Sequence, residues 1–244
     1  MLLKNRPDKL LKLRLARDLT RAIKRGHPWV FADALRQRPK ATAGTPAVLL
    51  DNKKGRPIAV GFYDANSPLA FRVCSSDSGT VLSDEWVDRQ LARALTLRQL
   101  VIGKNTSGFR LLNGEGDGLP GLICDIYGDT GVIQLDGAGP EGFWNVEGLA
   151  GWIGERLSLR RMYLSAQSRQ KYEGRMLFGP LPTEPVPFLE NGIKYTADIV
   201  SGQKTGFFLD QRDNRQLIGT VANNRQALNL FGYTGGFSVS AGLA

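Results

Sequence analysis

The segment "LNLFGYTGGFSVSA" at residues 228–241 constrains the fold more than any other stretch. Residues 228–231 read as a short apolar strand. Gly232, Gly235 and Gly236 follow at once, and residues 237–244 read as the first turns of a helix. A strand, a glycine turn and a helix start make half of a βαβ unit, which takes roughly 30 residues or more. The other half is not in the sequence, so the pattern predicts a chain that stops inside an α/β domain, as a fragment or a truncated reading frame.

The 244 residues are ample for a buried core and for one to three domains. Apolar residues make up 42% and charged residues 23%, the balance of a globular chain. No run approaches the ~18 apolar residues of a membrane span. The first residues, "MLLKNRPDKLLKLRLARD", break every apolar run with a charge, unlike a secretory signal. Asp8, Asp18 and the lack of serine there argue against a transit peptide. Cys74 and Cys124 have no CxxC spacing and His27 is the only histidine, so no metal site is expected. Two thiols without a disulfide framework fit a reducing, cytoplasmic setting.

Charge is segregated. Residues 1–40 hold twelve lysines and arginines against three aspartates, which equals the whole net charge of +9. The rest of the chain is balanced. Such a cluster is the footprint of a polyanion such as RNA, or a solvated basic arm, with an acidic membrane surface a distant third reading.

Along the chain, "LKLRL" alternates apolar and basic residues as a half-buried strand does, and "ARDLTRAIKRG" reads as a helix capped at Gly26. "GHPWVF" turns into an aromatic strand, "PAVLLDNKKGRPIAVGFYD" reads as a hairpin, and "LAFRVCS" as a further strand. This makes residues 1–75 a small β-rich domain with a basic edge. "SDEWVDRQLARALTLRQLVIG" is the clearest helix, with Ser83 at its N-cap and Trp86, Val87, Leu91, Leu95 and Leu100 at helical spacing. Strands broken by glycine turns follow, then a helix over 143–157, a strand at "RRMYLSA", and a hairpin around an Asn-Gly turn. Residues 76–190 read as a second, α+β domain, and residues 191–244 as the start of a third.

Two segments carry candidate chemistry. G-x-x-G-G at 232–236 lacks the GxGxxG spacing that brings amides to a pyrophosphate. A looser glycine turn suits a cofactor without phosphates, such as S-adenosylmethionine. A plain strand–helix turn satisfies the same residues. "GQKTGFFLDQRDNR" at 202–215 gathers a lysine, two arginines, two aspartates and adjacent phenylalanines. It reads either as a helix start capped by Thr205 or as a place to stack an adenine and fix a carboxylate. Glu115 and Asp117 in "NGEGDGLPG" look like paired carboxylates, but the flanking glycines favour a turn in which they take backbone amides.

"ADIVSGQKTGFFLDQRDNR" followed by "LNLFGYTGGFSVSA" resembles the PUA-domain-containing large-subunit (23S) rRNA cytosine-C5 methyltransferase family. "GHPWVF" is similar to that family's PUA segment and "RLLNGEGDGLPGLICDIYGD" to its middle domain, in the right order over nearly the whole chain. The resemblance implies an N-terminal PUA-like β-barrel, a middle α+β domain, and an incomplete Rossmann-like class I methyltransferase domain. It implies S-adenosylmethionine as cofactor and large-subunit rRNA as partner, with no membrane role and homodimerisation left open. Lys204, Thr205, Gly206, Phe207, Gln211 and Arg212 would lie beside the cofactor, with Asn229, Phe231, Tyr233, Gly235 and Gly236 in the first cofactor motif. Arg14, Lys24, Arg25 and Trp29 would contact RNA.

Methylation at cytosine carbon 5 needs a cysteine thiolate to add at carbon 6. In the family this cysteine comes from well downstream of the glycine turn. Cys74 and Cys124 read as small buried residues. No catalytic residue is therefore expected in this chain, which should bind RNA weakly, bind S-adenosylmethionine poorly and transfer no methyl group alone. The competing readings are a non-catalytic RNA-binding adaptor built from the first two domains, and a nicotinamide-dependent enzyme, which the glycine spacing disfavours.

Overall fold

The computed structural model describes residues 1–5, 7, 9–166 and 174–243. Its first layer contains β1 (Leu11–Arg14), α1 (Thr20–Lys24), β2 (Trp29–Phe31), β3 (Thr45–Leu50), β4 (Pro57–Tyr63) and β5 (Leu69–Ser75). The strands form one sheet in the order β1-β3-β4-β5-β2. The alternation of "LKLRL" does what period-2 patterning requires: Leu13 and Leu15 are buried while Lys12 is exposed. The sheet closes on itself. After β2 the chain returns antiparallel to the end of β1, where Leu15 bridges Leu35. There the Ala16 N–H donates to the Ala34 carbonyl at 2.7 Å and the Arg36 N–H to the Arg14 carbonyl at 2.8 Å. Closure removes the two free edges that an open sheet would expose.

The second layer contains α2 (Asp84–Val101), β6 (Gly108–Asn113), β7 (Leu122–Tyr127), β8 (Thr130–Leu135), α3 (Ala138–Phe143), α4 (Val146–Leu157), β9 (Arg161–Leu164) and β10 (Arg175–Phe178). Ser83 caps α2 as its sequence indicates, accepting from the Trp86 N–H at 3.3 Å. Leu100 does not join the core. It lies on the last, exposed turn of α2, while Trp86, Val87, Leu91 and Ala94 are the buried face. Strands β6 to β10 form a sheet in the order β10-β9-β8-β7-β6. Helices α2 and α4 cover one face through Leu91, Leu149 and Ile153 against Leu122, Cys124 and Ile133.

The opposite face is covered by a hairpin, β11 (Val186–Glu190) and β12 (Ile193–Ala197). Its Asn191-Gly192 turn has both φ angles positive, at 52° and 84°, as the two-residue turn requires. The domain boundary expected at 190/191 falls on this turn, between two strands paired from Val186↔Ala197 to Glu190↔Ile193. Beyond the hairpin come α5 (Arg212–Ala222) and α6 (Gly236–Gly242).

The strand expected at 228–231 does not form. Leu228, Leu230 and Phe231 are exposed, Phe231 completely at 103%. A strand exists only where its amides and carbonyls pair with a neighbour, and among the described residues no strand lies beside this segment. The helix after the glycine turn does form, as α6.

The two layers are joined by buried contacts. Phe62 of β4 stacks on Phe143 of α3, ring centroids 4.4 Å apart. Gly142 lies so close to the Ala43 carbonyl that a Cβ there would come within 1.8 Å of its oxygen. Arg72 of β5 reaches across to Glu115 at 2.5 Å and Asp136 at 2.7 Å. The Trp29 indole N–H donates to the same Glu115 at 2.9 Å. Residues at the very start of the chain pack on the second layer. Leu3 bridges Trp144, and the Leu2 N–H donates to Asp84 at 2.8 Å.

Arg72 is the fixed point of this junction. Replacing it by methionine leaves Glu115 and Asp136 without their charged partner. Arg72→Met is expected to cost about 2–3 kcal/mol of stability, read from urea unfolding followed by tryptophan fluorescence.

Candidate functional site

Strand β7, "LICDIY", builds the floor of the site by alternation. Leu122, Cys124 and Ile126 face the helices. Asp125 and Tyr127 face the opposite side, where the 202–211 loop lies. Asp125 is 1% exposed. A buried carboxylate must be fully satisfied, and this one is. Arg110 of β6 donates to both its oxygens at 2.8 and 3.0 Å, and the Thr205 hydroxyl donates at 2.6 Å. The Tyr127 hydroxyl lies 2.9 Å from the same Thr205 oxygen. The hydrogen bond to Asp125 raises the Arg110 pKa. Burial, then the Asp125 charge, push the Tyr127 phenol far above its ordinary value.

Thr205 is therefore an anchor, not the helix cap it resembles. The chain makes a 3₁₀ turn at Leu209–Gln211 before α5 begins at Arg212, and the Gln211 side chain in the N-cap position accepts no backbone N–H. The buried carboxylate of Asp125 takes the threonine hydroxyl that a cap would have used. Phe207 goes inward with it, packed edge-on against Phe188 at 5.0 Å and tilted against Tyr195 at 5.2 Å.

A second buried pair fixes the rear of the site. Arg215 of α5 binds Glu190 of β11 in bidentate fashion, at 2.7 and 2.6 Å, with both side chains 3% exposed. The same guanidinium lies 4.6 Å from the Phe207 ring and donates to the Phe208 carbonyl at 3.0 Å. Gly236 sits directly on this cluster: a Cβ there would lie 3.2 Å from Arg215 Cδ and 3.5 Å from the Phe207 ring. The Tyr195 hydroxyl, 3.0 Å from the Ser240 hydroxyl, ties α6 to the hairpin.

The front is formed by two segments that meet. The Gln203 N–H donates to the Tyr233 hydroxyl at 3.0 Å, and Tyr233 stands edge-on to Phe208 at 5.2 Å. Lys204 spans Asp210 at 2.9 and 3.0 Å and lies 4.5 Å over the Phe208 ring. Burial pushes the Asp210 pKa upward, but the hydrogen bond and charge of Lys204 outweigh it and hold the group below the ordinary aspartate range. Lys204 and Tyr233 both adopt left-handed backbone, φ 56° and 50°, a conformation that larger side chains rarely hold without function or support. Gly235 has φ 74° and nothing within 4 Å of a Cβ position, so the turn's backbone is open. Beside it a cavity of about 600 Å³ is lined by Ser107, Phe188, Tyr195, Phe207, Thr234 and Val239.

The structure thus brings Lys204, Gly206, Phe207, Tyr233, Gly235 and Gly236 into one region. Gln211 bonds Asn214 at 2.8 Å, and Arg212 bonds Asp213 at 3.1 Å on the outer side. Asn229 bonds Ser238 at 2.9 Å, and Phe231 stands in solvent. Asp125, Tyr127, Arg110 and Glu190 are not among the sequence candidates, and Arg215 enters only as one arginine of the 202–215 segment. An aspartate inside the apolar run "LICDIY" is the signal that could have found Asp125. On the first layer, Lys24 and Arg25 are exposed at the end of α1, Trp29 is held by Glu115, and Arg14 binds the 52–53 carbonyls. Glu115 and Asp117 are structural: Asp117 binds Arg98 in bidentate fashion, at 2.6 and 2.7 Å. Among the described residues no group of three histidine, cysteine or acidic side chains is placed to hold a metal.

Comparison with known proteins finds two family matches. Residues 13–76 match the PUA-like domain family, and residues 150–244 match the S-adenosylmethionine-dependent methyltransferase family. A ribosomal RNA large subunit methyltransferase of Deinococcus radiodurans is 35% identical over 243 residues, covering 95% of this chain. Ribosomal RNA large subunit methyltransferase I of Aliivibrio fischeri is 35% identical over 233 residues, covering 93%. The chain spans 59% of the length of each. Among solved structures, one from Streptococcus mutans assigned as a SAM-dependent methyltransferase superposes with a TM-score of 0.79 at 22% identity, over 96% of this chain and 61% of that one. A methyltransferase structure in complex with S-adenosylhomocysteine superposes with a TM-score of 0.80, also at 22% identity, over 96% of this chain and 60% of that one. The fold over nearly the whole chain is shared with these two structures, and its N-terminal part is PUA-like.

The Arg215–Glu190 pair holds the rear of the site, so removing one partner strands a buried charge. Arg215→Met is expected to destabilise the protein by about 3–5 kcal/mol. Adding Glu190→Gln should return at least ~0.5 kcal/mol of that loss, measured by a double-mutant cycle in urea.

Proposed function

We propose that this chain is the RNA-binding and cofactor-entry part of an S-adenosylmethionine-dependent methyltransferase that modifies cytosine carbon 5 of large-subunit rRNA. The observation that carries the reading is the meeting of the 203–210 loop with the 233–236 turn. Two segments 30 residues apart are locked together by the Gln203–Tyr233 hydrogen bond.

The residues there fit an S-adenosyl group by chemistry. It needs an aromatic surface for a purine, close backbone for a bulky sulfonium, and charges of both signs for its carboxylate and amine. Phe208 and Tyr233 supply the first, the open backbone at Gly235 the second, and Lys204 and Asp210 the third. The bound group would supply an electrophilic methyl. Asp125, through Thr205, keeps the loop in place, and Arg215 keeps Gly236 and Phe207 in register with it.

Carbon 5 chemistry also needs a thiolate that adds to carbon 6, so that the electron pair reaching carbon 5 can take the methyl. The carbon 5 proton then leaves and the thiolate is expelled. Neither cysteine present suits that role. Burial, then the Asp125 charge, push the Cys124 thiol far above its ordinary value, and burial, then Glu115, raise Cys74 in the same way. The nucleophile of this reaction is therefore neither of them.

The test has two readings. S-adenosylhomocysteine binding should be measurable by calorimetry, and Tyr233→Ala should weaken it about 3–10-fold. Labelled methyl transfer to a large-subunit rRNA transcript, followed by nucleoside analysis, should give 5-methylcytidine with a polypeptide that extends past Ala244. Methyl on any other base would overturn the cytosine assignment. RNA binding with no cofactor binding would favour the adaptor reading.

A further inference from the structure

The sequence places all the net charge in the first forty residues, but folding brings a second basic segment to the same corner. The turn between β3 and β4, residues 51–56, carries Lys53, Lys54 and Arg56, all exposed. It sits on Arg14 of β1 and on Arg36.

The turn is built rather than loose. Asp51 accepts the Lys54 and Gly55 N–H groups at 2.6 and 2.9 Å. Gly55, at φ 67°, supplies the left-handed step. From below, Arg14 donates to the Lys53 carbonyl at 2.9 Å, and Arg36 donates to the Asn52 carbonyl at 2.7 Å. Each arginine thereby spends one nitrogen on the turn and is fixed by it. The Arg14 Nε is buried with no hydrogen-bond partner. Lys12 is exposed one residue pair along β1 on the same face as Arg14. Of the described acids here, Asp51 is spent on backbone amides, and Asp18 lies 3.6 Å from Lys53.

Six cations gathered at one edge, with Asp18 already shared between Lys53 and the Thr20 N–H, are arranged for a string of phosphates. The other basic corner differs. Lys24 and Arg25 end the short helix α1, and the neighbouring Trp29 is already held by Glu115. We propose that the rim formed by Lys12, Arg14, Arg36, Lys53, Lys54 and Arg56 is the phosphate-contacting surface for single-stranded RNA. This rests on the RNA-binding reading above and adds to the N-terminal basic segment a turn that lies outside it.

The test uses the full 244-residue chain and a fluorescein-labelled, mixed-sequence 20-nucleotide RNA, with anisotropy measured over a range of salt. The three turn residues are exposed, so K53A/K54A/R56A should fold, which circular dichroism checks. Each phosphate contact on a single strand contributes about 0.7 to the log–log salt slope. The triple variant should therefore lower the slope by about 2 and weaken binding at low salt by tenfold or more. K24A/R25A should change the slope by less than one contact. If K24A/R25A takes the larger loss, or the triple variant keeps the wild-type slope, the rim assignment is overturned. If the unmodified chain shows no salt-dependent binding, the RNA reading itself fails. Wild-type binding with an unaltered triple variant would spare that reading and remove only the location.

Discussion

The buried carboxylate of Asp125 is the constraint on which the site depends. It lies on the sheet face opposite the two helices, where water does not reach it. An ionised group there costs several kcal/mol unless its oxygens are fully engaged. Arg110 from the adjacent strand and Thr205 from a distant loop are the engagement. The sheet cannot hold its aspartate cheaply without also holding the loop. That single requirement docks the 203–211 segment against the second layer and sends Phe207 into the aromatic cluster under the hairpin.

A second buried charge repeats the logic from the other side. Arg215 enters from α5, meets Glu190 at the end of the hairpin strand, and presents its flat face to Phe207. The glycine turn then fits because Gly236 has no side chain to collide with this arginine. Gly236 is thus required less by its own backbone than by what it approaches. Loop, hairpin and turn are mutually dependent, and the open backbone at Gly235 is what remains exposed once the rest is packed. Between the layers, Arg72 performs a comparable task at lower burial, with Phe62 and the close passage of Gly142 past Ala43 adding the apolar contact.

Much of the local structure was legible. The Leu13/Lys12 alternation, the Ser83 cap, the Asn-Gly hairpin turn and the glycine-opened helix at 236 each follow from a short-range rule, and each is present. The failures share a cause. Residues 228–231 have the composition of a strand, yet composition supplies no partner for their amides. Leu100 has the right spacing for a buried face, but the helix outruns the core it covers. Thr205 has the composition of a cap, and a carboxylate eighty residues away claims its hydroxyl.

The sequence by itself determined the segregated charge, the order of the β-rich, α+β and glycine-turn regions, and the motif pair at 202–215 and 229–236. These are properties of composition and spacing along one dimension. Only the tertiary structure decided that Asp125 and Tyr127 support the loop, that Arg215 belongs to Glu190, and that the 51–56 turn joins the basic edge of the first strand. The reason is physical. Charge burial and charge clustering depend on distance in space, and the groups that satisfy Asp125 are fifteen and eighty residues from it along the chain.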